Sequence, residues 1–314
     1  MKICLAGEGA QADTHMKALA ELEGIEVVAL AGGLPEDMAG FAAKWNIPFH
    51  SLSLKDCLDL PEVEAVILTT PSQQHVEQVE LAVGMGKHVQ VEIPIALNYQ
   101  DAQRLAALAR SSGLTCMVSH TRHFNQPLRW LKDQISCGQL QLHHIVMETY
   151  FFRRENINRF GQPRTWKDDL LWHHGCHSAD LALWLLDELP QAWGQTGPNH
   201  AELGIPMDLT MGMKSANGTL VSAALSFNHH GPFIACQRYI GEQASYTFEG
   251  GVLTRVEDGE VMAFTNMQES VVLQNQEFFA AIAEGRQPET NFDYCARVMD
   301  VLDRVEKSID QGTR

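Results

Sequence analysis

The chain predicts an α/β fold: an N-terminal doubly wound parallel sheet, then a C-terminal α+β domain with an open, mainly antiparallel sheet. Three observations carry this expectation. Up to about residue 120, short apolar runs alternate with helix-period segments; a glycine-rich turn follows the first of those runs; beyond residue 138 the apolar runs succeed one another through turns. The expected division is therefore 1–120 and 121–314.

In chain order, "KICLAG", "IEVVALAG", "AVILTTP", "HVQVEIP" and "TCMVSH" read as buried parallel strands. Between them lie the helical segments "HMKALAEL", "MAGFAAKW", "HVEQVELAVGMG" and "YQDAQRLAALARSSG". A helix through "PLRWLKDQI" leads into the second half. There "LHHIVMETYFF", "LTMGMKSANGTLVSAALSF" and "ASYTFEGGVLTRVEDGEVMAF" read as antiparallel strands turning at "ANG" and "EDG". Two helices, "NQEFFAAIAEG" and "YCARVMDVLDRVEKSI", close the chain.

Composition narrows the class of partner. With 45% hydrophobic and 20% charged residues the chain can bury real cores. A formal net charge of -16 opposes a nucleic-acid partner, which binds through clustered Lys and Arg. Seven cysteines, odd in number and without a CxxC pair, suggest neither a disulfide framework nor a thiolate metal site. The start "MKICLAG" runs straight into a strand, and no run reaches about 18 apolar residues, so the expectation is a cytoplasmic protein without membrane contact.

"CLAGEGAQADTH" places Gly7, Gly9 and Ala12 in G-x-G-x-x-A spacing between the first strand and the first helix. Such a turn lets backbone approach a pyrophosphate at the helix N-terminus, as in a Rossmann dinucleotide site. The end of the second strand, where an acid would read a ribose hydroxyl or an arginine a 2′-phosphate, offers Gly32, Gly33 and Leu34, and so supports neither directly. Glu36 and Asp37 follow Pro35 and could reach back to a ribose, although acids at a helix start more often simply complement its N-terminus.

"LLWHHGCHSADLALWLL" sets His173, His174, His177 and Asp180 in an otherwise apolar helix. Each costs free energy when buried unless it is hydrogen-bonded or paired. On an α-helix His173 and His177 share a face one turn apart, and Asp180 can orient the His177 ring. Taking a proton from a hydroxyl near neutral pH suits histidine, so His177 is the expected base, with His173 or His174 a second polar contact. The simpler reading of each is a satisfied core histidine. A zinc site also has this i, i+4 spacing, but a HExxH glutamate and a third ligand are missing, and no metal is expected.

Arg122, Arg153, Arg154, Arg164 and Arg238 are a large share of the basic residues in an acidic chain. Guanidinium forks grip carboxylates bidentately, so several converging on one pocket would suit a small polycarboxylate substrate. Trp166 is the expected pocket wall, while His120, Thr121 and Asn125 lie at the expected domain hinge.

The ordered set "GEGAQA", "TTPSQQH", "GKHVQVEIP" and "HSADL", with the tail "EFFAAIAEGRQP", resembles the Gfo/Idh/MocA oxidoreductase family over nearly the whole chain. The resemblance implies a nicotinamide cofactor, NADP with NAD as the alternative, held by Gly7, Gly9, Ala10, Ala12, Gly33, Thr70, Pro71, His75, Glu92 and Pro94. It also implies a homo-oligomer, a dimer or tetramer, built on the open sheet. Most members carry Glu-Lys-Pro and an Asp-x-x-x-His; here stand Glu92-Ile93-Pro94 and His173-x-x-x-His177. Both changes, with "CMVSHTRHFN", "TYFFRRENIN" and "PRTWKDDLLWHHGCH", resemble one branch of the family that oxidises a carboxylated cyclic hemiacetal. From that branch the chain departs by lacking a Ser-Arg-like pair after the second strand, and by having His229-His230 and His123 at positions expected to differ. The rival expectations are a dehydrogenase of another carboxylated ring, sugar or cyclitol, against which the missing lysine counts, and a dinucleotide-binding sensor without turnover.

Overall fold

The computed structural model describes residues 1–157, 161, 163–164, 166–167, 169–265 and 267–312. The chain falls into two compact units: Met1–Phe124 with Gln268–Arg297, and Asn125–Met267 with Val298–Arg314. The chain thus passes between units three times, where periodicity marks a single change near residue 120.

Unit 1 holds β1 (Lys2–Ala6), α1 (Ala10–Leu19), β2 (Glu26–Ala31), α2 (Pro35–Trp45), β3 (Phe49–Ser51), α3 (Leu54–Leu58), β4 (Val63–Leu68), α4 (His75–Gly84), β5 (His88–Val91), α5 (Tyr99–Ser112) and β6 (Cys116–Val118). All six strands are parallel in the order β3-β2-β1-β4-β5-β6, the strand order of a Rossmann sheet. Because helices cover both faces, β1 reads as an unbroken apolar run, with Ile3, Cys4, Leu5 and Ala6 fully buried. Local chemistry sets the helix ends. The Asn98 side chain accepts from the Asp101 N–H at 2.8 Å to start α5, and Gly113 at φ 68° ends it. β3 and α3, three and five residues long, are too short to show a period and were not expected from sequence.

Unit 2 holds α6 (Gln126–Ser136), β7 (Leu142–Tyr150), α7 (Cys176–Leu186), β8 (Gln191–Thr196), β9 (Asp208–Lys214), β10 (Leu220–Ser226), β11 (Ile234–Gly241), β12 (Ser245–Glu249) and β13 (Val252–Arg255). Its seven strands order as β13-β12-β11-β7-β10-β9-β8, antiparallel except where β7 and β10 run parallel from His144↔Leu220 to Tyr150↔Ser226. The "ANG" turn joins β9 to β10 as expected. "EDG" does not join two strands of the sheet: β12 and β13 meet through Gly250 and Gly251, both at positive φ, and "EDG" closes a lone bridge between Thr254 and Val261. Along β10, Val221, Ala223 and Leu225 are buried and alternate with more exposed residues, so one sheet face is covered within the unit.

Two further helices follow, α8 (Ser270–Glu284) and α9 (Phe292–Gly312). Phe278 and Phe279 of α8 pack with Ile3, Leu5, Leu30 and Ile67, and this burial draws 268–297 into unit 1. Among the described residues no helix is long and apolar enough to cross a membrane, and no cysteine is joined in a disulfide.

Candidate active site

In unit 1 the β1–α1 turn has the shape that a dinucleotide requires. Gly7 sits at φ +106°, and a Cβ there would lie 2.5 Å from Thr69 Oγ1 and 2.9 Å from the Thr69 carbonyl. Thr69, the first residue of "TTPSQQH" and not singled out from sequence, braces the turn by donating its hydroxyl and its N–H to the Ala6 carbonyl at 2.7 and 2.8 Å. A Cβ on Gly9 would meet nothing within 4 Å, and Gly9 starts α1 without a side-chain cap. Open space in front of a helix N-terminus is what a pyrophosphate needs, so the residues fit a dinucleotide. Ala12 packs at full burial against the strand, as the third position of the motif demands.

Behind the turn, Asp13 of α1 accepts from Lys44, from Lys17 at 3.0 Å and from Trp45 Nε1 at 3.1 Å. The Lys44 ammonium is the main reason its carboxyl titrates at about 2 rather than 3.8. His15, wholly buried on α1, places Nε2 2.8 Å from Glu92 Oε1 and Nδ1 3.1 Å from Asn275 Oδ1. Asn275 also accepts from Gln90 Nε2 at 3.0 Å. Glu92, expected at the cofactor, is therefore oriented by a buried network that draws on α1, β5 and α8.

His75 was expected beside the cofactor ribose. It is 1% exposed, with Nδ1 2.8 Å from the Pro94 carbonyl and Nε2 2.9 Å from the Thr70 carbonyl. Both nitrogens face backbone carbonyls, of which the neutral ring donates to one, so His75 is enclosed between the loop of Thr70 and Pro71 and the cis Ile93–Pro94 bond. Burial, more than any neighbour, pushes its pKa below 6.5. At the end of β2, Gly33 and the following Leu34 donate their N–H groups to one oxygen of Glu8, a residue that sequence reasoning passed over.

His120 is also in unit 1, 1% exposed, with Nε2 3.6 Å from Cys295 Sγ. Arg122 lies in the 3₁₀ turn Thr121–Phe124. Asn125 begins unit 2 and accepts the Leu128 N–H at 3.3 Å, which starts α6.

In unit 2 the polar stretch is helical throughout, but Leu170–Gly175 is wound as a π-helix and α7 follows from Cys176. The expected α-helical stacking of His173 under His177 therefore does not apply in its simple form. Gly175 permits the winding: a Cβ there would lie 3.1 Å from the Leu170 carbonyl and 3.2 Å from Met211 Sδ. Such π turns concentrate at functional sites. Asp169 caps the turn by accepting the Trp172 N–H at 2.7 Å, and its own N–H donates to His173 Nδ1 at 3.1 Å. A lone pair used at Nδ1 leaves the ring proton of the neutral His173 on Nε2, so that nitrogen presents a donor and not a base. His177 stands half-buried in the first turn of α7, and Asp180, three residues on, is 1% exposed.

The arginines divide. Arg164 lies over Trp166 at 4.6 Å, and Trp166 stacks on His173 at 5.8 Å and 24°. Asn156 links Arg164 to Arg153, donating to the Arg164 carbonyl at 2.8 Å and accepting from Arg153 Nη2 at 3.0 Å. Arg153 also lies over Phe227, which meets His174 edge-on at 5.3 Å. Arg154 donates to the Arg153 and Phe227 carbonyls at 2.7 and 3.0 Å and to Asn228 Oδ1 at 2.8 Å. Arg238 instead pairs with Glu148 at 2.8 Å across β11 and β7. Asn156, Phe227 and Asn228 were not singled out from sequence, because nothing local distinguishes them. Among the described residues no three His, Cys, Asp or Glu groups gather as metal ligands.

Residues 1–120 match the oxidoreductase family with an NAD-binding Rossmann fold, and 127–262 match the C-terminal domain of bacterial oxidoreductases. The 4-carboxy-2-hydroxymuconate-6-semialdehyde dehydrogenase of Sphingobium sp. (strain NBRC 103272 / SYK-6) is 38% identical, with 99% of each chain covered. The 1-carboxy-3-chloro-3,4-dihydroxycyclo hexa-1,5-diene dehydrogenase of Comamonas testosteroni is 30% identical over 37% of this chain and 29% of its own. Among solved structures, levoglucosan dehydrogenase with NADH and L-sorbose superposes with a TM-score of 0.88 at 16% identity, covering 99% of this chain and 97% of that one. An oxidoreductase from Agrobacterium radiobacter with NAD+, L-tartaric acid and magnesium gives 0.85 at 16%, with the same coverage. The two structures establish the likeness of fold.

Proposed function

The chain belongs to the Gfo/Idh/MocA oxidoreductase family, and from that premise we propose that it oxidises the cyclic hemiacetal of 4-carboxy-2-hydroxymuconate-6-semialdehyde to 2-pyrone-4,6-dicarboxylate. The observation that carries the reading is the pair formed by a donor His173 and a following His177, in a stretch flanked by Arg153, Arg154 and Arg164. A dicarboxylated hemiacetal calls for guanidinium groups at its carboxylates and a base at its hydroxyl. The full-length relative supplies the substrate class.

In this reading His177 takes the hydroxyl proton, and Asp180 stabilises the imidazolium that results. His173 donates to a substrate oxygen through Nε2. Arg164, braced by Trp166, and Arg154 hold carboxylates, with Asn125 as a further contact. Arg153 and His174 form the wall with Phe227. Gly7, Gly9, Ala10 and Ala12 receive the pyrophosphate, and Glu92, fixed by His15, meets the ribose. A bound nicotinamide dinucleotide would supply the hydride acceptor: with the hydroxyl proton on His177 and the C–H hydride removed, the exocyclic C–O becomes the lactone carbonyl and the ring oxygen stays singly bonded. We also read the open face of the seven-stranded sheet as the surface on which copies of the chain associate.

The test is kcat/KM, read by absorbance of the reduced nicotinamide, for the ring-fission semialdehyde of protocatechuate against a panel of sugars and cyclitols. The reading expects the semialdehyde to be preferred by about a hundredfold or more, since an uncharged substrate forgoes the charge-assisted pairs that its carboxylates would make with the guanidinium groups. A better rate on a sugar or cyclitol would replace the substrate, and dinucleotide binding without turnover on any of them would favour a sensor.

A further inference from the structure

Glu8 stands between the two glycines of the phosphate turn, yet its side chain reaches to the end of another strand. Its Oε1 accepts the N–H of Gly33 at 2.8 Å and of Leu34 at 3.0 Å. In a doubly wound sheet the chain leaving the second strand is where the adenosine ribose is read, by an acid for a free 2′-hydroxyl or by a cation for a 2′-phosphate. Here neither side chain can grow from Gly32, where a Cβ would lie 2.5 Å from Met38 Cβ, and Gly33 beside it carries none. The carboxylate is delivered from the first loop instead.

The charges around it agree. "GGLPEDM", residues 32–38, holds no Lys or Arg, and its two charged side chains, Glu36 and Asp37, are acidic and exposed. The lysine farther along α2, Lys44, is paired with Asp13. Among the described residues Glu8 Oε2 has no hydrogen-bond partner, so one oxygen anchors the side chain and the other remains to accept.

We propose that Glu8 is the ribose-reading residue of this chain: it accepts the 2′-hydroxyl and keeps a 2′-phosphate from the Gly33 and Leu34 N–H pair, so that NAD is taken in preference to NADP. This rests on the dinucleotide reading above, and it reverses the NADP preference that the family resemblance implied. The competing role for Glu8 is a plain cap on α2, whose N-cap Leu34 has no capping side chain.

The experiment is equilibrium binding by calorimetry of NAD, NADP, ADP and adenosine 2′,5′-bisphosphate to the full chain, for wild type, Glu8→Gln and Glu8→Ser, with thermal denaturation of each. Glu8→Gln keeps an oxygen for the two N–H groups and removes only the charge. Wild type is expected to bind NAD at least about tenfold tighter than NADP, and ADP tighter than the bisphosphate; in Glu8→Gln that ratio falls by about tenfold, mostly through tighter NADP. A ratio unchanged in both variants, whatever happens to the melting temperature, overturns the assignment and leaves the cap. Wild type binding NADP as tightly as NAD overturns it too. Binding of neither dinucleotide overturns both this inference and the dinucleotide reading.

Discussion

The backbone N–H of Asp169 donates to Nδ1 of His173 at 3.1 Å, and this single contact sets the neutral tautomer of His173, with its proton on Nε2. In the proposed reaction the base is then His177. His173→Gln, which keeps a donor, is therefore expected to raise KM by less than about tenfold and to leave the acid limb of the kcat pH profile in place. Loss of that limb in His173→Gln would exchange the two roles.

Asp13 supplies a pH signature of the phosphate-turn helix. Its folded pKa of about 2 lies below the ordinary 3.8, so its contribution is fully present above pH 3.8 and is lost as pH falls through 2. Two of its partners, Lys17 and Lys44, are largely exposed, which screens the effect. Asp13→Asn is expected to cost about 1 to 2 kcal/mol at neutral pH, with the difference from wild type closing below pH 3.8 in denaturant titrations.

His75 works in the same direction across a higher window. Burial lowers its pKa below 6.5, so the unfolded chain binds more protons than the folded one just below that pH, and stability rises with pH there. His88, also lowered by burial, adds to the same slope. Replacing His75 with Gln is expected to flatten the dependence of unfolding free energy on pH below 6.5, measured against wild type in the same titration.

Gly175→Ala tests the π winding. The added methyl would sit 3.1 Å from the Leu170 carbonyl, so the turn or Met211 must shift. A cost of about 1 to 3 kcal/mol is expected in thermal denaturation, with a fall in kcat larger than any change in KM. Unchanged kcat would detach the π turn from the chemistry.

Arg164→Gln removes the guanidinium that lies over Trp166. If it grips a substrate carboxylate, KM for the semialdehyde rises about ten- to a hundredfold while kcat changes little. Steady-state kinetics read both parameters.

Much of the architecture was legible because its periods are local. β1, β2, β4 and β5 announce themselves as apolar runs, and the spacing of Gly7, Gly9 and Ala12 needs no partner from elsewhere. What escaped notice depends on contacts between distant parts of the chain. His15 meets Asn275 across 260 positions, and Phe278 is drawn into the first core by residues that no local pattern links to it. Glu8 reads as filler between two glycines until the end of β2 is placed beside it. The π turn was hidden for another reason: Gly175 signals weak α-helix, and only Met211, brought in on β9, shows why a wider turn is kept.

The most direct measurement is single-turnover formation of reduced nicotinamide from the ring-fission semialdehyde, with enzyme in excess, for wild type and His177→Gln. The account predicts a rate lower by about a hundredfold or more in the variant at neutral pH, partly recovered as pH rises and hydroxide replaces the base, with substrate affinity little changed. A His177→Gln rate within about threefold of wild type would contradict His177 as the base and the reaction course built on it.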